Sequence, residues 1–352
     1  MAAVWEFRLY KQTGARAATF DQWLTFGVFR KVREPGSWAF EIAGGDDRVA
    51  LFDIDCIFEG WWIDEEAGIA LHREFSGWVL DRQTITNPDT GEEVFRVSGR
   101  DLSELLVRTI IDTYAGGPLA LKSDASETVM KEYVEEQAGP TAAARARSGL
   151  SVAADTALGA TWTGQRSNKT LQSVCQEIAE VANLYFTIAR TGAYTFEFQV
   201  SEPTDRSADV IFSTERGNML APRAFDDFSK VSNYVKVGGQ GEAADRVYTV
   251  VSDAVSIARS PQGRREMFLN AADQASVAAY TARGAARLAE NAVAVGVDMV
   301  VVQIRSCMYG LHYFLGDLVR VVHTPIDTTL RIESVEFYHS SETQSLFVKL
   351  GA

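Results

Sequence analysis

The sequence predicts a β-rich α+β fold in which two strand-rich regions flank an α+β insertion. Three observations carry this. Apolar residues alternate with polar ones through the first hundred residues and again through the last hundred, the period of a half-buried strand. In the middle third the spacing changes to that of a helix. Six of the seven Trp precede residue 80, as in a compact aromatic β core.

The first region opens with Trp5, Phe7 and Leu9 alternating with Glu6 and Arg8. Trp38, Phe40 and Ile42 repeat the pattern after Pro35-Gly36, read as a turn, and Gly44-Gly45-Asp46-Asp47 supplies the next. VALFDIDCIFEGWW and LHREFSGWVLDRQTIT follow as strands on either side of the hydrophilic DEEAG. NPDTG reads as a turn, with EVFRV as the strand beyond it.

The period changes at GRDLSELLVRTII, residues 99–111. Leu102, Leu105 and Leu106 predict a helix there, and Asp101 with Glu104 resembles a capping box. A second helix is expected over Ser126–Gln137, stopped by Gly139-Pro140, and a third over about 168–182 with Leu171, Val174, Cys175 and Ile178 as its stripe. TAAARARSGL reads equally as a helix extension or a mobile stretch. YFTIAR and AYTFEFQV form a hairpin around Thr191-Gly192. From about 223 strands return in VSNYVKVGG and RVYTVVS. A helix at about 273–292 follows, with Asp273 as N-cap and Val277, Tyr280, Gly284 and Leu288 facing inward. VDMVVVQIR, GDLVRVVH, TLRIESVEFYHS and QSLFVKLG complete the tail. Domain boundaries are therefore drawn at 1–100, 101–222 and 223–352.

Charge narrows the function. Lys plus Arg number 34 and Asp plus Glu 47, a net of −13, which opposes a protein that grips nucleic acid by its phosphates. A bore through which nucleic acid passes without sticking stays compatible with it. Arg145, Arg147, Arg166, Arg264 and Arg265 are scattered, without the basic–aromatic interleaving of a nucleic-acid platform. Cys56, Cys175 and Cys307 are far apart and fit reduced core thiols. The N-terminus lacks a basic segment followed by an apolar run, so no secretory signal is expected, and the apolar stretches are too short to span a bilayer.

No catalytic motif emerges. The sequence has no HExxH, GxSxG, CxxC or Walker A pattern. His72, His312, His323 and His339 stand apart. VGGQGEAADR is glycine-rich but leads into a strand, so no helix N-terminus aims at a phosphate there. Asp53 and Asp55, two apart on an expected strand, would share a face and offer paired carboxylates. The simpler reading is a solvated face, with Phe52, Ile54 and Cys56 turned inward. Asp64-Glu65-Glu66 and Glu135-Glu136 read as solvated surface, and Trp5, Trp38, Trp61, Trp62 and Trp78 as core. No residue is assigned a catalytic, cofactor-binding or metal-ligating role, and no cofactor is expected.

Five segments, in order, resemble the tail-hub (baseplate hub) proteins of long-tailed siphophages: VFRVSGRDLSELLVRTII, DRSADVIFSTERGNML, SNYVKVGGQGEAADRVYTVV, SPQGRREMFLNAAD and MYGLHYFLGDLVRV. The resemblance spans about residues 4–350, and fits the short form without a C-terminal lysin or fibre domain. It implies two tail-tube-like β-barrels, about 1–100 and 223–352, braced by the helices at 99–111 and 273–292. It further implies a non-enzymatic homotrimeric ring at the distal end of the tail of a phage or gene transfer agent virion. Two barrels in each of three chains would match a sixfold tube to a threefold tip. The implied partners are other copies of the chain, the distal tail protein ring, the C-terminus of the tape-measure protein, and tail-tip or fibre proteins. DNA would be met only in transit through the lumen, and no membrane insertion is implied. Two other classes compete: a tail-tip peptidoglycan or glycan hydrolase using a carboxylate pair such as Asp53 and Asp55, and a host-glycan-binding module built on exposed aromatics.

Overall fold

The computed structural model describes residues 4–64, 69–86, 88, 91–112, 120–241, 245–272, 276–324, 326–340 and 343–351. Seven strands come first: β1 (Val4–Tyr10), β2 (Arg16–Phe20), β3 (Thr25–Lys31), β4 (Glu34–Ala43), β5 (Ile57–Asp64), β6 (Ile69–Thr86) and β7 (Glu93–Asp101). A single helical turn follows, α1 (Glu104–Val107), then β8 (Ala120–Ala125), α2 (Ser126–Gln137), β9 (Leu150–Val152), β10 (Thr161–Arg166), α3 (Leu171–Ala182), β11 (Tyr185–Arg190) and β12 (Phe196–Ser201). The rest comprises β13 (Ile211–Ser213), β14 (Met219–Asp227), β15 (Tyr234–Gly238), β16 (Tyr248–Ser252), α4 (Ala254–Ile257), β17 (Glu266–Asn270) and α5 (Val277–Glu290). Four strands close the order: β18 (Ala294–Val301), β19 (Leu318–His323), β20 (Ile326–Ser340) and β21 (Gln344–Gly351).

Thirteen strands form one sheet. One half runs β2-β1-β5-β6-β7-β4-β3, and the other holds β20, β21, β18 and β14, with β19 and β13 branching from β20. The halves meet where β20 pairs antiparallel with β3, from Ser334 opposite Lys31 to Ser340 opposite Thr25. Inward side chains of both halves share one core. Trp5 lies 4.7 Å from Phe26 and 5.4 Å from Phe337, centroid to centroid, so the sheet curls until β1 faces β3.

Closed barrels, expected from the resemblance, are not found among the described residues, where the hydrogen-bonded path stays open from β14 to β2. The reason lies in β20. At fifteen residues it is long enough to divide one edge between β19 (326–331) and β3 (334–340) while β21 takes the other. The edge of β3 that could have closed the first half is thereby occupied.

The middle region packs α2 and α3 against two small sheets, β8-β10 and β9-β12-β11. Its core includes Ile57 and Trp78 of the large sheet, so it is seated on that sheet. Past it, β13 and β14 already belong to the large sheet. Chain 228–293 leaves between β14 and β18, which pair down to Asp227 opposite Ala294. It builds a pendant unit: the three-stranded sheet β16-β15-β17 covered by α5 around Val235, Val237, Ala271 and Tyr280. Gly284 permits the cover, because a Cβ there would lie 2.8 Å from methyls of Val237 and Val251.

Local expectations fare unevenly. α2 spans the expected residues. The helix expected over 99–111 shrinks to four residues. Asp101 belongs to β7, and its carboxylate accepts from Gly36 N at 2.7 Å and Ser103 N at 2.9 Å, tying two strands together instead of capping a full helix. Pro35-Gly36 lies inside β4, while the hairpin turns at Val32-Arg33 with Arg33 at φ 64°. The N-cap of α5 is Ser276, whose side chain accepts from Ala279 N, and Val277 is exposed; Asp273 lies outside the described residues. So do Glu65, Glu66 and most of NPDTG, of which Pro88 is described and sits in a turn. No described helix is long and apolar enough to cross a membrane.

Candidate functional site

The sequence candidates do not converge. Asp53 and Asp55 sit in a turn, not a strand. Asp55 has φ 60°, and Ile54 between them is 60% exposed while Phe52 and Cys56 are buried, so alternation fails. The Asp53 carboxylate accepts from Ile54 N at 2.8 Å, and that of Asp55 from Arg108 Nη1 at 2.6 Å. His312 Nδ1 accepts from Met308 N at 3.0 Å. The His339 ring lies 5.7 and 5.4 Å from those of Trp23 and Phe26, and burial lowers its pKa. His323 ends β19. All three cysteines are buried free thiols. Burial raises the pKa of each, that of Cys307 to about 11. The glycine-rich loop leaves β15 for β16, as expected, and its Gln240 N donates to Tyr280 OH at 3.1 Å. Among the described residues no group of three or more His, Cys, Asp or Glu is placed to hold a metal ion.

Scattered arginines knit the middle region. Arg147 donates to Arg108 O at 3.0 Å, Arg145 to Gln137 and Ile110 O, and Arg166 pairs with Glu177. Trp5, Trp38, Trp62 and Trp78 are core residues as expected. Trp61 is not: it is half-buried between the guanidinium groups of Arg8 (4.4 Å) and Arg73 (5.6 Å).

What the structure brings together instead is a charged junction between the large sheet, β11 and the 309–315 segment. It surrounds a cavity of about 290 Å³ lined by Arg30, His72, Glu74, Asp101, Arg190 and Tyr309 among others. Glu59 on β5, fully buried, accepts from Ser76 Oγ at 2.5 Å, Arg190 Nη1 at 3.0 Å and Arg73 Nη1 at 3.3 Å, while Trp61 Nε1 donates to its second oxygen at 3.0 Å. Arg190 also lies 3.8 Å over the Tyr10 ring. Burial by itself would raise the Glu59 pKa. The Ser76 hydroxyl and the two arginines outweigh it and hold the carboxyl below its ordinary value. Glu74 repeats the arrangement. Burial is opposed by His72, 3.3 Å from one oxygen, and by Arg30, 2.9 Å from the other, with Tyr309 OH donating at 3.1 Å. Its pKa is also lowered.

Every polar atom of these two carboxylates faces protein, and cations from β3, β6 and β11 converge on them. The arrangement fixes the middle region to the sheet; it holds no exposed nucleophile or paired acid and base. Arg33 Nε to Leu184 O (2.7 Å), Gln172 Nε2 to Arg33 O (2.6 Å) and the contact of Arg331 with Asn183 extend the same seam. No spacing rule in the sequence joins residues 59, 73 and 190. The available signal was unbalanced charge on otherwise apolar strands.

The open, two-halved sheet with the middle region seated on it is a fold shared by solved phage tail proteins. A 43 kDa tail protein of prophage MuSo2 from Shewanella oneidensis aligns over 98% of both chains with TM-score 0.64 at 15% identity. A tail protein from Neisseria meningitidis aligns over 100% of this chain and 96% of its own, TM-score 0.62, 13% identity. Prophage tail protein gp18 from Listeria monocytogenes aligns over 98% and 94%, TM-score 0.59, 9% identity. No curated protein matches. Residues 6–351 match the family described as Siphovirus ReqiPepy6 Gp37-like protein, and the chain belongs to that family.

Proposed function

We propose that the chain is the tail hub of a long-tailed phage: a non-enzymatic homotrimeric ring at the distal end of the tail. The ring joins the sixfold tube or distal tail ring to a threefold tip and lets DNA pass. The observation that carries this reading is the pairing of β20 with β3, which holds two strand-rich halves around one core in a single chain. Two such halves, drawn from 1–100 and from 223–352 together with β13 and the start of β14, repeated in three chains give six similar elements around an axis. The middle region, which ends before β13, then braces them from outside. Partners on either side are the distal tail ring, the tape-measure C-terminus and tip or fibre proteins. The net charge of −13 suits a bore crossed by DNA, since carboxylates on its wall repel phosphates. Electron microscopy of the purified assembly tests the proposal. A threefold ring with a quasi-sixfold, acidic bore is expected. A stable dimer, a ring without a central hole, or a neutral or basic bore would overturn it.

A further inference from the structure

The pendant unit carries a basic, aromatic face on an acidic chain. One face of its sheet is covered by α5 and the other points away from it. On that outer face the register sets Lys236 beside Val250 and Phe268, Gly238 beside Tyr248 and Asn270, and Tyr234 beside Ser252 and Glu266. Tyr248, Val250 and Phe268 are 46%, 45% and 52% exposed. Cations lie over the rings: Arg264 at 3.8 Å from the Tyr234 centroid, Lys236 at 4.6 Å from Tyr248, and Arg246 at 5.3 Å from Phe268. Arg264 is paired with Glu266 at 2.6 Å. Among the described residues no carboxylate pairs with Lys236 or Arg246. Arg246 donates to the carbonyls of Gly238 and Gly239 at 3.0 and 3.1 Å, and also to Asn270 Oδ1. Among the described residues its charge is thus held by neutral oxygens.

We infer that this basic–aromatic face is a contact surface between copies of the chain, engaging an acidic patch on its neighbour. Charge chooses the occupant. Across a twofold axis Lys236 and Arg246 would meet their own like charges at a cost, so the favoured complement is a different, acidic surface. Each further copy of the chain brings thirteen more carboxylates than cations, 47 against 34. A contact between unlike patches is head-to-tail, the kind that closes into rings. Single-stranded nucleic acid fits less well. One face of each ring is already taken by a cation of the chain itself, and the net charge of −13 opposes phosphate. The inference deepens the ring proposal and rests on it.

Native mass spectrometry and sedimentation of the full chain, at about 50 mM and about 500 mM salt, test it. Three variants accompany the wild type: the double variant Lys236→Glu with Arg246→Glu, the uncharged truncation Phe268→Ala, and Arg16→Glu as a charge control on an exposed residue of β2 in the large sheet. Circular dichroism confirms that each is folded. The wild type is expected to form trimers that weaken with salt. Association should fall at least tenfold in the double variant and measurably in Phe268→Ala, and stay unchanged in Arg16→Glu. Trimers of equal strength in all four would overturn this inference and leave the ring standing. A wild type that stays monomeric at every concentration would overturn both. Loss of binding to a labelled oligothymidylate with unchanged assembly would reassign the face to nucleic acid and overturn the protein contact.

Discussion

Replacing Arg190 by Met tests whether the charged junction holds the middle region to the sheet. The substitution keeps most of the aliphatic stem over Tyr10 but removes the cation 3.0 Å from Glu59. Breaking one partner of a buried pair costs about 3–5 kcal/mol, because the other charge is left behind. Glu59 keeps Ser76, Trp61 and Arg73, the last at 3.3 Å, so the low end, about 3 kcal/mol, applies. At roughly 2 °C per kcal/mol for a large fold, melting should fall by about 6 °C. The sign with pH is specific. In the wild type the Glu59 pKa is depressed, so its contribution is present above the unfolded value near 4.5 and is lost as pH falls through the folded value. In Arg190→Met the burial penalty gains weight and the folded pKa rises. The stability gap between wild type and variant is therefore full at neutral pH and narrows as pH falls toward 4.5 and the stranded carboxyl takes a proton. Urea unfolding followed by tryptophan fluorescence measures the gap. The double variant with Glu59→Gln should recover part of the loss at neutral pH, which isolates the pair from the stem's packing. A gap below about 1 kcal/mol, the scale of an exposed pair, or one of constant size from neutral pH to 4.5, would refute the reasoning.

Gly99→Ala should lower stability by about 1–3 kcal/mol or more in the same urea titration, because a Cβ on this central strand would fall 1.8 Å from Trp78 O and 2.9 Å from Trp38 Cζ2. A neutral result would mean β7 and β6 can separate. In the native protein the thiols of Cys175 and Cys307 should react with a thiol reagent far more slowly than after denaturation, burial having both raised their pKa and blocked access. Three fast native thiols would contradict the core. Asp53→Asn should change stability by less than about 0.5 kcal/mol, since its side chain meets only the neighbouring Ile54 N. Cell-wall zymograms of the wild type should stay uncleared, and a clearing that Asp53→Asn abolishes would revive the hydrolase.

The sequence revealed most where structure is decided locally. Val129, Tyr133 and Val134 recur at helical spacing and are buried together, and α2 spans the expected residues. The hairpin β11–β12 follows from alternation around its own turn. Local spacing misled where distant partners intervened. Leu102, Leu105 and Leu106 have helical spacing, yet all three are claimed by a core shared with α3, and Asp101 bonds to Gly36 sixty-five residues away. Asp53 and Asp55 alternated on paper, but the left-handed backbone at Asp55 breaks the strand. Arg264 looked isolated because its companions at 236 and 268 come from two strands paired in parallel, and the one at 246 from the loop before β16. The Glu59–Arg190 pair and the β20–β3 seam join segments for which adjacent sequence carries no record of each other.

That seam has a consequence for biosynthesis. Residues 25–31 acquire their final neighbour only when 334–340 emerge, about three hundred residues later. At bacterial elongation rates the interval is roughly 15–60 s. Throughout it β3 presents an unpaired backbone rim beside an aromatic interior that lacks Phe337 and Val335. Until the last strands arrive, the nascent chain exposes the edge and the apolar surface that make folding intermediates prone to aggregate. A fragment halted before residue 334 should precipitate or be degraded instead of accumulating as a folded half.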